Sequence, residues 1–246
     1  SSREHDDTRA ERLNGVPSAC VSPAPGRRTA YVVAYSFPLV HLTLRTQPPV
    51  LELEMTQPTY VIVPGLRGHV EDHWQTLLAG ALSDALIVPQ VEGDPVDLEA
   101  RLDVLEKTVA SATGPVILVA HSAGCPTVAF WAERTELPVA GALLATPPDL
   151  TQPMAAPHPS PEQFAEGGWG PVPTNPLPWP SIVVASEDDP LATVEAVTAL
   201  ADAWGSRVVN AGAVGHLNPA SGYGPWPRAV EFLAELRELA GLNAAG

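Results

Sequence analysis

Residues 115–125 have the sequence Pro-Val-Ile-Leu-Val-Ala-His-Ser-Ala-Gly-Cys, in which an apolar run of β-formers ends at Ser122 among small residues. A segment of helical character follows directly. This is the layout of a nucleophile elbow, in which a serine occupies a strained turn between a strand and a helix. A serine hydroxyl alone is a weak nucleophile, so this interpretation requires a base and an orienting carboxylate elsewhere in the chain.

Short apolar runs alternate with amphipathic segments on both sides of this serine. The apolar runs predict strands at 59–63, 85–88, 116–120, 139–145, 182–185 and 207–210. The amphipathic segments predict helices at about 71–83, 97–112, 124–135, 191–204 and 227–240. Such alternation indicates βαβ units, and continuously apolar strands indicate a sheet buried on both faces. We therefore expect an α/β protein with three layers and a mostly parallel, doubly wound sheet of about six strands.

Candidate catalytic side chains follow three of these strands. Because parallel strands bring their carboxyl ends to one edge of the sheet, Ser122, Asp189 and His216 should meet there. Their order along the chain, serine then acid then histidine, is typical of serine hydrolases built on such a sheet. His216 would accept the serine proton, and Asp189 would fix the imidazole tautomer. Asp188 is an open alternative, although the short turn 186–190 favours the later acid.

An oxyanion hole is expected beside the serine. Its donors would be the backbone N–H of Ala123 and a second N–H from the loop after the first strand, for which Leu66 is the best candidate. The glycines at 65 and 68 would let this loop approach closely. Trp74 and Trp169 are candidate pocket-lining residues, and packing in the core or a loop is an equally good interpretation of both.

Each of these residues also has an ordinary structural interpretation. A serine after an apolar run can be a helix N-cap, and an aspartate before proline can be a turn residue. We interpret His121 as structural, because adjacent residues on a tight turn point apart. His158 is expected to face solvent and Cys125 to be a small buried residue. Asn218 and Ser221 could orient the histidine loop or simply form its turn.

Residues 147–180 interrupt the alternation. This stretch holds eleven prolines, a density that disfavours regular helix or central strand. We therefore expect an extended loop that packs over the site edge of the sheet. Long loops in compact domains are usually functional or disordered, and the aromatic residues Phe164, Trp169 and Trp179 favour packing.

Composition and motifs argue against several other classes of function. The net charge of −15 disfavours nucleic acid and anionic membrane surfaces as partners. Two cysteines form no disulfide framework, which favours a reducing, cytoplasmic compartment, and the first residues lack a signal-peptide pattern. His69 and His73 have a zinc-like spacing but no evident third ligand, and no phosphate-binding glycine motif occurs. We expect no cofactor and no metal.

The first 54 residues differ from the rest of the chain. They contain six arginines and six acidic residues, so the whole net charge of −15 lies after residue 54. Met55 with the following Thr-Gln-Pro has the appearance of a natural start. We therefore divide the chain into an N-terminal extension, 1–54, disordered or non-native, and one domain, 55–246. A strand-like run at 31–44 that adds to the edge of the fold is the less favoured alternative.

Several segments carry a resemblance to a known family. The chain resembles the small serine hydrolases related to retinoblastoma-binding protein 9 and the bacterial YdeN-like proteins at residues 61–65, 72–75, 121–125, 177–186, 188–190, 204–206 and 215–227. The resemblance covers about 56–239. It implies a compact α/β-hydrolase without a large cap domain, with Ser122, Asp189 and His216 as catalytic residues. Ala120 stands where a strict G-x-S-x-G motif has glycine, and the retinoblastoma-binding element is absent, so that partner is not expected.

These features predict a serine hydrolase, carboxylesterase-like, that cleaves a small ester or amide through an acyl-serine intermediate. A peptidase-like activity on short peptides or aminoacyl amides is an alternative. A third hypothesis is a protein-binding module that keeps the hydrolase scaffold without turnover, because a fold does not fix a function.

Overall fold

Six parallel strands form one sheet in the computed structural model, which describes residues 57–242. The strands are β1 Thr59–Val63, β2 Ala85–Ile87, β3 Val116–His121, β4 Gly141–Ala145, β5 Ser181–Ala185 and β6 Arg207–Asn210. The helices are α1 Trp74–Ala81, α2 Leu98–Ala110, α3 Gly124–Ala132, α4 Pro161–Glu166, α5 Val194–Ala203 and α6 Arg228–Leu239, with a 3-10 turn at Pro219–Ser221. The strand order is β2-β1-β3-β4-β5-β6. The expected three-layer α/β fold without a large cap is confirmed. The proposed extension, 1–54, lies outside the described residues.

The side chains of neighbouring residues in a strand lie on opposite faces of the sheet. In β1, Val61 and Val63 belong to a core that includes residues of α2, α3 and α5. Tyr60 and Ile62 belong to the opposite core, which includes residues of α1 and α6. Every residue of β1 is buried, because helices cover both faces. This burial explains why the central strands are mostly apolar instead of alternating.

Strand β3 lies between β1 and β4, and this position places Ser122 at the centre of the sheet edge. Val63 at the end of β1 pairs with Ala120, and Ala145 at the end of β4 pairs with His121. The loops that follow β1 and β4 therefore flank Ser122.

The proline-rich segment contains a helix that the sequence analysis did not predict. Helix α4 is six residues long and begins with a capping box, in which Ser160 Oγ accepts from Gln163 N and Gln163 Oε1 accepts from Ser160 N. Pro161 occupies the first turn, where its missing N–H costs no hydrogen bond. The expectation of extended loop throughout 147–180 is therefore wrong for 161–166, since proline disfavours helix interiors but not helix starts.

Candidate active site

Ser122 occupies the strained turn that a nucleophile elbow requires. Its φ is 55°, in the left-handed region that non-glycine residues rarely adopt. Its N–H donates to Ala145 O, and its carbonyl accepts from Cys125 N. A Cβ at Gly124 would lie 2.3 Å from Val63 O, and one at Gly65 would lie 3.2 Å from Ser122 Cβ. Small residues are therefore needed on both sides of the serine.

A continuous hydrogen-bonded chain joins Ser122, His216 and Asp189. Ser122 Oγ lies 2.9 Å from His216 Nε2, and His216 Nδ1 lies 2.9 Å and 3.0 Å from the two Asp189 carboxylate oxygens. The His216 and Asp189 side chains are 5% and 1% exposed. An ionised carboxylate only accepts hydrogen bonds, so Nδ1 carries the proton in the neutral imidazole. Nε2 is then free to accept the serine hydroxyl proton.

Asp188, the alternative acid, has a different set of contacts. Its Oδ1 accepts from Gly215 N at 2.6 Å and from Ser186 Oγ at 3.0 Å. These hydrogen bonds, that of Gly215 first, lower the pKa of the Asp188 carboxyl. The structure brings Asp189 to the imidazole, whereas Asp188 ties the loop before His216 to the end of β5.

Three further contacts position the loop that carries His216. Ser221 Oγ accepts from His216 N at 3.0 Å, and Asn218 Oδ1 accepts from Ser221 N at 3.0 Å. His121 Nε2 donates to His216 O at 2.8 Å. Asn218 and Ser221 therefore both form the turn and hold the histidine loop.

His121 and His73 are buried beside His216. The ring centroids are 4.6 Å apart for His73 and His121, and 4.9 Å apart for His121 and His216. Burial, then the nearby His216 and His73, lowers the pKa of His121 well below its usual value. Burial first and His216 second lower the pKa of His73 to about 4. Both rings are neutral near pH 7, which agrees with a structural role for His121.

His69 and His73, the pair with zinc-like spacing, both contact other residues of the protein. His73 is the N-cap of α1, where its Nδ1 accepts from Gln75 N. His69 Nδ1 lies 3.3 Å from Thr76 Oγ1. Within residues 57–242, no three histidine, cysteine or acidic side chains are grouped closely enough to hold a metal ion.

The loop after β1 is held by two side chains that the sequence analysis missed. Arg101 Nη2 donates to Pro64 O at 2.9 Å, and Gln75 Nε2 donates to Val63 O at 3.2 Å. Both side chains are buried. Gln75 lies within the 72–75 motif, but nothing in the sequence indicated its contact. These bonds fix the backbone directly before Gly65 and Leu66.

The two expected oxyanion donors are unused. In the described part of the chain, neither Leu66 N nor Ala123 N donates a hydrogen bond to the protein. Leu66 lines the cavity beside Ser122, and Ala123 directly precedes α3. Free N–H groups of this kind are available to an oxygen bound at the serine.

A cavity of about 290 Å³ opens onto Ser122 and His216. Neither Trp74 nor Trp169 lines it, so the pocket-lining predictions are corrected. Trp74 is 1% exposed and packs edge-on against Trp226, whereas Trp169 is 3% exposed and donates through Nε1 to Val96 O. Both indoles are instead part of the core.

His158 does line the cavity, contrary to the expectation that it faces solvent. The proline-rich segment brings it there together with Pro157 and Pro159. Burial, then the nearby Arg67, lowers the pKa of His158.

Cys125 is buried, as expected of a small core residue. Its Sγ donates to Ala145 O at 3.3 Å, and burial raises the pKa of the thiol well above its usual value. A buried thiol that resists ionisation is a poor nucleophile.

The fold and this arrangement of side chains define the class of α/β-hydrolases. A family model described as serine hydrolase matches residues 60–235, and the chain belongs to this family of hydrolases. Within residues 57–242, no helix combines the length and the apolar character that crossing a bilayer requires.

Solved structures support the same assignment. A protein described as a YdeN-like hydrolase from Pectobacterium atrosepticum has 29% identity and a TM-score of 0.64, with 75% of this chain and 92% of that chain covered. The YdeN gene product of Bacillus subtilis has 21% identity and a TM-score of 0.58, covering 74% and 100%. Est1E from Butyrivibrio proteoclasticus, solved with ferulic acid, has 13% identity and a TM-score of 0.57, covering 75% and 91%. The latter two likenesses concern the fold alone. A comparison with curated proteins gave no match.

Proposed function

We propose that this serine hydrolase cleaves a small ester or amide, in the manner of a carboxylesterase, through an acyl-Ser122 intermediate. The observation that carries the proposal is the unbroken chain from Ser122 Oγ through His216 to Asp189 at the edge of a cavity. Its links of 2.9 Å suit a hydroxyl nucleophile, a general base and an orienting acid.

In the first half-reaction, Ser122 Oγ attacks the substrate carbonyl carbon while its proton passes to His216 Nε2. The carbonyl oxygen becomes an oxyanion, for which the Leu66 and Ala123 N–H groups are the proposed donors. His216 returns the proton to the leaving alcohol or amine as the tetrahedral intermediate collapses to the acyl-serine. Asp189 keeps the proton on Nδ1 and stabilises the imidazolium.

In the second half-reaction, water replaces the leaving group. His216 accepts a proton from the water, whose oxygen attacks the acyl carbon, and then gives the proton back to Ser122 Oγ. The products are a carboxylic acid and the regenerated serine.

The size of the cavity supports a small substrate. Ligand pockets usually measure about 300–1,000 Å³, and the cavity beside Ser122, at about 290 Å³, is just below the lower limit of that range. Backbone and side-chain contacts fix the loops around it, as described for Pro64 and His216.

Labelling with a fluorophosphonate probe tests the proposal. Wild type should be labelled, Ser122→Ala should not, and His216→Ala should be labelled far more slowly. Ser111→Ala, an exposed serine at the end of α2, is the matched control and should be labelled like wild type. A folded wild type that resists the probe would overturn the proposal and favour a binding scaffold. A panel of p-nitrophenyl esters against aminoacyl amides then separates esterase from peptidase-like activity.

A further inference from the structure

Arg67 gives the cavity a positive charge that no acidic side chain of residues 57–242 pairs. It lines the cavity in the loop that follows β1, directly after Leu66, and its side chain is exposed. Among residues 57–242 it makes no ion pair and no side-chain hydrogen bond, although Glu71 and Asp72 follow closely in sequence. A guanidinium without an acidic partner is available to a ligand.

The other groups around the cavity leave this charge uncompensated. The part of the lining that residues 57–242 form includes no aspartate and no glutamate, in a chain whose net charge is −15. The other histidines of the lining, His73, His121 and His158, are neutral near pH 7, because burial lowers their pKa values. Asp189 lies behind His216 and is committed to it. Of the described residues that line the cavity, Arg67 is therefore the single one with a permanent charge.

Arg67 is also close to the reacting centre. A Cβ on Gly65 would touch Ser122 Cβ at 3.2 Å, so the loop is in contact with the serine two residues before Arg67. Two residues of extended chain span at most about 7 Å. The Arg67 backbone therefore lies within about 7 Å of the residue that touches Ser122, and Arg67 and Ser122 line the same cavity.

We propose that the physiological substrate carries a free carboxylate, and that Arg67 binds this carboxylate while the neighbouring ester or amide lies against Ser122. The inference rests on the proposed function and names a substrate class for it. A guanidinium can bind both oxygens of a carboxylate with a pair of N–H groups. One guanidinium matches the single charge of a carboxylate, whereas a phosphate monoester carries a charge of about −1.5 to −2 at pH 7. The apolar proline walls add no second cation.

Matched pairs of charged and neutral substrates test this inference. On the acyl side, mono-p-nitrophenyl esters of succinic, glutaric and adipic acid are compared with p-nitrophenyl esters of unbranched acids of the same length. On the leaving-group side, 4-acetoxybenzoate is compared with 4-acetoxybenzamide. For each pair the measured quantity is the ratio of kcat/KM, acid over neutral, after subtraction of the rate without enzyme. Comparing this ratio between variants cancels differences in intrinsic reactivity.

Arg67→Gln should lower the acid-to-neutral ratio about 10- to 100-fold for at least one pair, the size expected for losing a hydrogen-bonded charge. The ratio for Arg67→Lys, which keeps the charge without the fork, should fall between those of wild type and Arg67→Gln. Arg134→Gln removes an equal charge at a surface pair with Glu99 and should leave the ratio unchanged. Added salt shortens the Debye length from about 30 Å at 0.01 M to about 3 Å at 1 M, and it should therefore lower the ratio of wild type relative to that of Arg67→Gln.

The inference and the proposed function fail in different ways. If neutral esters are hydrolysed and every ratio is the same in wild type and Arg67→Gln, carboxylate recognition by Arg67 is refuted while the hydrolase proposal stands. An equal loss in Arg134→Gln would also refute it, because overall charge would then explain the effect. Absence of fluorophosphonate labelling in folded wild type would instead refute the proposed function itself.

Discussion

Replacing Gly124 with alanine should damage both the stability and the chemistry of the site. The added Cβ would lie 2.3 Å from Val63 O, whereas contacts below about 3.0 Å are essentially never seen, so the start of α3 has to retreat by about 0.7 Å. Overpacking of this kind costs about 1–3 kcal/mol, or several degrees in Tm for a domain of this size. The same retreat moves the Ala123 N–H and Ser122. A misplacement near 1 Å can cost about 100-fold in rate, so labelling by a fluorophosphonate should slow about 10- to 100-fold.

Gly80→Ala is the matched control for this substitution. Gly80 is an exposed position in α1, and nothing lies within 4 Å of an added Cβ. Alanine should stabilise this helix by about 0.5–1 kcal/mol without changing the labelling rate. Thermal unfolding followed by tryptophan fluorescence and the labelling rate should be measured on both variants. If Gly124→Ala is as stable and as reactive as Gly80→Ala, the argument from close packing at the elbow is refuted.

Three further predictions concern the acid, the buried histidines and the N-terminal segment. Asp189→Asn should lower kcat about 10⁴-fold, as loss of the orienting acid does in serine proteases, and Asp188→Asn should lower it less. If Asp188→Asn lowers kcat more than Asp189→Asn does, the assignment of Asp189 as the acid is wrong. The pKa of His73 is about 4 in the folded protein and near 6.5 in the unfolded chain, so the unfolded chain binds more protons between these pH values. The free energy of unfolding should therefore fall as the pH drops from about 6.5 to 4. His73→Asn keeps an N-cap acceptor and should flatten this part of the stability curve measured by urea unfolding; an unchanged curve would contradict the assignment. Deleting residues 1–54 should leave a protein with a cooperative melt and normal labelling, and an insoluble product would show that the segment belongs to the core.

The central strands β1, β3, β4 and β5 were predictable because burial on both faces makes them mostly apolar. β1 and β6 have the bounds predicted from sequence, and β3 runs one residue further, to His121.

Helix α4 was missed because the prolines of 147–180 were weighed as helix breakers. The signal was nonetheless present in Ser160, Pro161 and Gln163, which form a capping box with proline at a helix start.

Contacts between distant segments could not be predicted in the same way. The topology indicated that Ser122, Asp189 and His216 share an edge of the sheet, but choosing between two adjacent aspartates depends on the local turn of the backbone. Whether Trp74 faces the cavity or the core, and whether His158 reaches the cavity, depends on how loops far apart in sequence fold over each other. No residue pattern records these contacts.

Most of the contacts that hold the loop carrying His216 do not involve Ser122. Asp188, Ser221 and His121 anchor its backbone, and Asp189 orients its ring, while Ser122 contributes one hydrogen bond to the imidazole. His216 should therefore keep its position when the nucleophile at position 122 is changed. This scaffold is suited to redesign at position 122 alone, because a thiol placed there would meet a proton acceptor already in position, and the buried Cys125 would not compete with it.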